Sequence, residues 1–311
     1  MDTTIKPTTI LLTGGMTLLG RRLTDKLRAE GYRVHWLTNQ LEQAEGKCDA
    51  AFLWDIDRKL IDDIAFDGAN VLIHLHGAQL FKERWSAGRK REIIRSRALS
   101  TRLLFNALRR TKHSIHSVLV ASSVYYYPAA TMNETFYERE AAGEDFLGQC
   151  HQMLEEEAQR FRTRLGIRTV ILRNGIALDP RRGVLPNMSL PVSFGLNMPL
   201  GRGDQYINWI HIDDLCRIYS YAIANTELRG VYNACAPSPL TNSQFMYALC
   251  SVKGHDHLRL PISSVILRSL LGEMADPLLK SSRVSSDKLI ASGFTFEYDS
   301  LSKALRSCLD R

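Results

Sequence analysis

Residues 9–23 read TILLTGGMTLLGRRL, and this stretch decides the fold. Thr9–Thr13 is an apolar run closed by threonines, the pattern of a strand buried on both faces. It leads directly into Gly14 and Gly20, which have the spacing of a G-x-x-G-x-x-G turn with Thr17 in the middle place. Such a turn bends tightly and lets a pyrophosphate approach the backbone. The helix behind it, here from about Leu19 to Glu30, then offers amide donors and a positive dipole end. Thr17 puts a side chain close to where phosphates would lie, and also a hydroxyl able to bond to one.

Working outward, Gly31 ends this helix and Arg33–Leu37 supplies a second strand. Further strands are expected at Ala50–Trp54, Val71–Leu75, Ser117–Ala121 and Arg168–Arg173, with helices at Arg89–Lys112 and Leu147–Leu165 between them. This alternation predicts an α/β fold, a doubly wound parallel sheet of the Rossmann kind covered on both faces. Residues 179–205 change texture, rich in Gly, Pro, Asn and Ser. Beyond them, strands at Ile207–His211 and Val231–Ala234 flank a helix that Asp213 or Asp214 would cap. Helices follow near Asn242–Cys250, Ile262–Leu271, Ser285–Ser292 and Leu301–Leu309. The division predicted is residues 1–178 as the dinucleotide-binding domain, with 207–234 returning to it. Residues 179–311 would then be a smaller, interleaved, mainly helical substrate lobe.

Composition agrees with a globular chain: of 311 residues, 45% are hydrophobic and 23% charged, with 20 Gly and 10 Pro, which excludes disordered and collagen-like classes. No apolar run approaches the roughly 20 residues that span a bilayer. The N-terminus carries no pattern of a secretion signal, so a cytoplasmic protein is expected. Net charge is +7. The densest basic stretch, residues 82–97 (KERWSAGRKREIIRSR), has Trp85 as its lone aromatic and leads into an amphipathic helix. It reads as a solvated helix face or an anion-binding entrance, not a nucleic-acid surface. Six cysteines lack metal or C-x-x-C spacing and read as reduced thiols. His74 and His76 share a face, but no third ligand accompanies them and no metal site is expected.

Residues 33–40, RVHWLTNQ, contain no acid to bind a ribose 2′-hydroxyl or repel a 2′-phosphate. Asn39 stands at the selecting position, and Arg21, Arg22 or Arg33 would attract a phosphate. NADP(H) is thus favoured slightly over NAD(H).

Several stretches together resemble the extended short-chain dehydrogenase/reductase superfamily. They are TGGMTLLG (13–20), RWSAGRKREIIRSR (84–97), VASSVYYY (120–127), LRNGIAL (172–178), PLGRGDQYINWIHIDDL (199–215), NACAPSPLTNSQF (233–245), LLGEMADPLLKSSRV (270–284) and SGFTFEY (292–298). More narrowly they resemble its atypical, epimerase-like branch with a distinctive C-terminal helical domain. The resemblance implies Gly14, Gly15, Thr17, Leu18, Leu19 and Gly20 along the pyrophosphate, and Asp55 and Ile56 at the adenine. His74, Leu75, His76 and Gly77 replace the branch's Asn-Leu-Ala-Gly beside the ribose. Asn39 replaces a basic residue that relatives use for the 2′-phosphate. Arg97 falls where other extended members carry a structural Asn, and would bind a substrate anion or anchor the backbone.

Enzymes of this superfamily use Ser, Tyr and Lys, the last two as Tyr-x-x-x-Lys on one helix. No lysine occurs between Lys112 and Lys253, so this pair is absent. Ser122 matches the superfamily serine, with Ser123 beside it. Tyr126 and Tyr127 match aromatic positions of the branch, Tyr125 replaces a glycine, and Met153 replaces a tryptophan. Ser122, Tyr126 and Cys150 are the catalytic candidates. Trp85, Ser123, Tyr127, Arg173, Asn174 and Gly175 are candidates for the substrate cleft. Trp209, His211, Asp213 and Asp214 read as a strand entering a capped helix. The chain is therefore expected to be an NAD(P)-binding oxidoreductase or epimerase-like protein acting on a small polar carbonyl or alcohol. The competing expectation is an inactive dinucleotide-binding sensor or scaffold. A small-molecule partner is expected in either case, without nucleic acid or membrane, and a homodimer is left open.

Overall fold

The computed structural model describes residues 8–130, 134–254 and 257–309; the first seven residues, part of the N-terminal reading, lie outside it. Eight strands form the main sheet: β1 (Thr9–Thr13), β2 (Arg33–Thr38), β3 (Ala50–Asp55), β4 (Leu60–Ile61), β5 (Val71–His74), β6 (Ser117–Ser123), β7 (Arg168–Asn174) and β8 (Gly230–Ala234). Their order is β8-β7-β6-β5-β1-β2-β3-β4. All neighbours run parallel except the short β3–β4 pair. The chain winds one way from β1 and then the other way from β5, so the switch point lies between these two strands.

Strand β1 shows why the sheet is covered twice. Its residues are all buried, Ile10 and Leu12 packing into one core and Leu11 into another. The first core is closed by α1 (Leu18–Ala29) and α6 (Ile212–Ala224). The second is closed by α3 (Ser100–Arg110) and α4 (Phe146–Leu165). A third core, with Trp209, Phe245 and Leu305, sits in the C-terminal lobe. That lobe holds α5 (Val184–Ser193), α7 (Asn242–Lys253), α8 (Ser264–Leu271) and α9 (Leu301–Leu309).

Two local expectations change. The long helix predicted over 89–112 is α2 (Ala87–Ile94), a π turn at Arg95–Leu99, and then α3. Ser96 donates to the Ile93 carbonyl at 3.0 Å and Ser100 to that of Ser96 at 2.7 Å. Hydroxyls competing for helix carbonyls widen the turn. The cap of α6 is His211, whose Nδ1 accepts from the Asp213 amide at 3.2 Å, while Asp213 and Asp214 lie in the first turn. Asp214 is instead fully buried and accepts the Glu297 and Tyr298 amides, fastening the C-terminal segment to α6.

Candidate functional site

The glycine turn is closed by its own side chains. Gly14 sits at φ +74°, and Thr17 donates its hydroxyl to the Gly14 carbonyl at 2.8 Å while accepting from the Gly20 amide at 3.0 Å. Thr17 is thus the N-cap of α1. Its hydroxyl proton is spent inside the turn rather than offered outward. A Cβ at Gly20 would stand 2.2 Å from the Gly14 carbonyl oxygen, and one at Gly15 would stand 2.3 Å from the Trp36 ring. Helix start, turn and the strand beneath therefore meet at separations that only glycine permits.

Beyond the carboxyl ends of β1, β2, β3 and β5 lies a groove of about 970 Å³. It gathers Gly14, Gly15, Thr17, Asn39, Asp55, Ile56, His76 and Gly77, eight of the residues marked in the sequence. Leu18, Leu19 and Gly20 form the first turn of α1 behind it. Leu75 and Arg97 do not line it. Arg91 and Arg95 of the basic stretch do, so that stretch combines a groove wall with ion pairs, Arg89 to Glu92, Lys90 to Glu273 and Arg95 to Asp57. Of the arginines proposed for a 2′-phosphate, Arg33 opens β2 at the end of the sheet opposite the groove. Arg22 is occupied by Asp179 at 3.3 Å and Asp213 at 3.9 Å. Only Arg21 keeps a place near the turn, its Nη2 3.7 Å from the sulfur of Met16, which lines the groove.

Behind the groove a hydrogen-bonded chain fixes the loop after β5. The Thr13 hydroxyl accepts the Leu75 and His76 amides, both at 3.2 Å, so its proton goes to His74 Nδ1 at 2.7 Å. His74 Nε2 then donates to the Ser100 hydroxyl at 3.1 Å. Burial pushes His74 down to about 3 and His76 down to about 4, with Arg97 opposing protonation of both. Both rings pack on Trp54, at centroid distances of 5.7 Å. His74 is thus committed to the strand-to-helix network. Among the described residues, no group of three or more His, Cys, Asp or Glu could hold a metal. Arg97 donates to the Ala78 carbonyl at 3.0 Å, and its guanidinium closes over Gly77, where a Cβ would come within 3.1 Å.

The catalytic candidates lie deeper. Ser122 is 5% exposed and donates to Glu155 Oε1 at 2.6 Å. Glu155 also takes Arg173 in a two-pronged pair, Nε–Oε1 at 2.9 Å and Nη2–Oε2 at 2.8 Å. Arg173 Nη1 donates to the Tyr127 hydroxyl at 2.8 Å, and Tyr127 donates to Asn233 at 2.7 Å. The Arg173 guanidinium lies 3.4 Å from the Tyr126 ring centre. Burial raises the Tyr126 hydroxyl, and Arg173 opposes the rise. Cys150 is buried, which raises its thiol, with Arg97 opposing. Ser123 accepts the Tyr125 amide at 3.3 Å. Asn174 bonds Tyr219 at 3.0 Å, and Gly175 passes so close to the Asn208 carbonyl that a Cβ would lie 2.7 Å away. None of Ser123, Tyr127, Arg173, Asn174 and Gly175 lines either large cavity, although all were expected at the cleft. They tie the ends of β6 and β7 to α4, α6 and β8 instead.

The second cavity, about 380 Å³, lies between the lobes. Its walls include Phe81, Val124, Tyr125, Ile176, Leu178, Val184, Met188, Met198, Leu200, Phe245, Met246, Ile262, Met274 and Leu278. The lining is mainly apolar, unlike the polar site expected. Trp85, bonded to the Leu80 carbonyl at 2.8 Å, supports Phe81 and packs edge-on against Phe146. Lys280 enters from the C-terminal lobe and pairs with Asp145, the N-cap of α4, at 2.5 Å. Sequence reasoning missed Glu155, Lys280 and Phe81. Glu155 alone left a signal, an acid in the buried phase of α4.

Residues 10–235 match the NAD dependent epimerase/dehydratase family, and residues 262–308 match a domain of unknown function, DUF1731. Epimerase family protein YfhF of Bacillus subtilis is 33% identical over 297 residues, covering 95% of this chain and 96% of YfhF. Epimerase family protein SDR39U1 of Mus musculus is 30% identical, covering 96% and 98%. The crystal structure of human SDR39U1 (isoform 2) with NADPH superposes with a TM-score of 0.86 at 26% identity, covering 98% of this chain and 100% of that one. A nucleoside-diphosphate sugar epimerase from Corynebacterium glutamicum follows at 0.78 and 28%, covering 97% of this chain but 58% of its own. Fold, glycine turn and matches agree: the chain belongs to the NAD dependent epimerase/dehydratase family, in the branch that carries the DUF1731 domain.

Proposed function

We propose that this protein binds a nicotinamide dinucleotide, NADP(H) in preference to NAD(H), and uses it on a carbonyl or alcohol of a small molecule. The observation that carries this is the glycine turn opening into a groove at the topological switch point, where doubly wound sheets bind ligands. The groove also fits such a cofactor chemically. The buried indole Nε1 of Trp54, which lines it, has no hydrogen-bond partner among the described residues. A bound nicotinamide supplies hydride transfer.

In this reading Gly14, Gly15 and the start of α1 hold the pyrophosphate. Asn39 and Arg21 face the 2′-position, Asp55 and Ile56 the adenine, and His76 and Gly77 the ribose. Residues 179–206 and 235–311 supply the substrate lobe. With no lysine on α4 the Tyr-x-x-x-Lys pair is missing, and Tyr126, whose ring is covered by the Arg173 guanidinium, lines neither the groove nor the inter-lobe cavity. Ser122 gives its proton to Glu155 and orients α4 rather than substrate. Titration of the purified protein with NADPH and NADH by calorimetry tests the proposal. Micromolar binding with NADPH the tighter is expected. Binding of neither refutes it, and binding without turnover on any carbonyl would favour the sensor.

A further inference from the structure

The inter-lobe cavity holds little that could greet a charged ligand. Lys280, the cation in its lining, is paired with Asp145. Gln205 gives its amide to the Leu200 and Leu278 carbonyls, at 3.1 and 3.2 Å. Asn208 is held at both ends, by the Ser282 carbonyl at 2.7 Å and the Val284 amide at 3.1 Å. Asn242 accepts the Leu200 amide at 2.7 Å. These groups are spent on closing the walls. Asn187 is exposed, and Arg283 lies over the Tyr206 ring at 5.7 Å.

Tyr125 differs from them. It stands on the turn after β6 with Phe81 edge-on at 5.9 Å, and its hydroxyl has no hydrogen-bond partner among the described residues. Burial alone raises that hydroxyl well above the ordinary tyrosine range. With no cation beside it to stabilise a phenolate, Tyr125 keeps its proton and offers it to an acceptor. Tyr125 is half-buried and lines the cavity, so its hydroxyl is open to an acceptor that enters there. The wall opposite is soft, with Met188, Met198, Met246 and Met274 able to repack around varied shapes.

We propose that this cavity receives a substrate with an apolar body and a carbonyl or hydroxyl group, whose oxygen hydrogen-bonds the Tyr125 hydroxyl. This deepens the proposed carbonyl chemistry and rests on it for the reaction, though not for binding. Tyr125 serves as an anchor for the substrate oxygen. A nucleotide sugar is disfavoured, because a diphosphate would meet one lysine already neutralised.

The test measures binding to the full-length protein by calorimetry, with no turnover required. The probes are butyrophenone, its hydrocarbon isostere 2-phenyl-1-pentene, and UDP-glucose. Butyrophenone should bind, and should compete for one site with the hydrocarbon. Tyr125→Phe keeps the ring and should weaken the ketone about tenfold, as loss of one neutral hydrogen bond does, while leaving the hydrocarbon unchanged. Met188→Trp fills the cavity from its half-buried wall and should abolish both without altering NADPH affinity. UDP-glucose binding with no aryl ketone binding overturns the apolar substrate class. Equal effects of Tyr125→Phe on ketone and hydrocarbon, or none on either, overturn the anchor. Loss of NADPH binding in the wild type would refute the cofactor proposal alone, leaving the ketone result standing.

Discussion

Replacing Glu155 by Gln removes one charge and almost no volume from the most buried ion pair among the described residues. Arg173 is 2% exposed and Glu155 4%, and the two share bonds of 2.9 and 2.8 Å. Charges about 4 Å apart at an effective dielectric near 20 attract by about 4 kcal/mol. The substitution leaves the guanidinium in place with a neutral partner, and breaking such a pair from one side costs about 3–5 kcal/mol. Equilibrium urea unfolding of wild type, Glu155→Gln, Arg173→Met and the double variant Glu155→Leu/Arg173→Met forms a test. Both single variants should lose about 3–5 kcal/mol, and the double variant should recover most of it, since apolar replacement of a buried pair is often close to neutral. A Glu155→Gln loss below about 1 kcal/mol, the scale of an exposed pair, would refute the assignment of this cluster as a buried structural tie.

Three further outcomes follow from the same geometry. Asn39→Asp adds the missing acid at the end of β2 and should move preference towards NADH by roughly tenfold or more, read from paired titrations; unchanged selectivity would remove Asn39 from the 2′-position. Gly15→Ala drives a methyl into Trp36, whose Nε1 is held by Thr24 at 2.9 Å, and should cost about 1–3 kcal/mol in urea unfolding, a neutral result excluding the close packing. Burial holds His74 and His151 neutral down to about 3 and His76 to about 4, against 6.5 when unfolded. The unfolded chain therefore binds these protons first, and stability is full above about pH 6.5 and falls as pH drops towards 3, by up to about 1.4 kcal/mol per histidine per pH unit. Urea midpoints at pH 7 and 5.5 check this, and His151→Gln should flatten the difference.

The strands were legible because a two-sided sheet demands continuous apolar runs, and TILLT, VLIH and SVLV have no other use. The glycine turn was legible for the same economy: a Cβ on Gly20 would stand 2.2 Å from the Gly14 carbonyl oxygen, so the turn tolerates no side chain there. Strand direction could have excluded Arg33 at once, since only carboxyl ends reach the groove. The π turn was not legible, because two serines bonding helix carbonyls leave no trace in hydrophobic period. Nor was the fate of Ser122, whose partner Glu155 is 33 residues away and meets it only when α4 docks. Lys280 lies 135 residues from Asp145, and nothing in the motif order announces the pairing.

Strand β8 lies at one edge of the main sheet yet is supplied from residues 230–234, after an excursion of 55 residues beyond β7. On a translating ribosome, at about 5–20 residues per second, β7 waits some 3–11 s for its last neighbour. During that interval its outer amides and carbonyls present an open pairing edge, the kind that recruits strands from other nascent chains. Segment 179–205 emerges in the meantime and adds apolar surface of its own, Leu190 and Phe194 staying exposed even in the finished fold. A chain cut after residue 178 would hold the edge of β7 open permanently, so a recombinant half built on the main sheet needs residues through 234 to cover it.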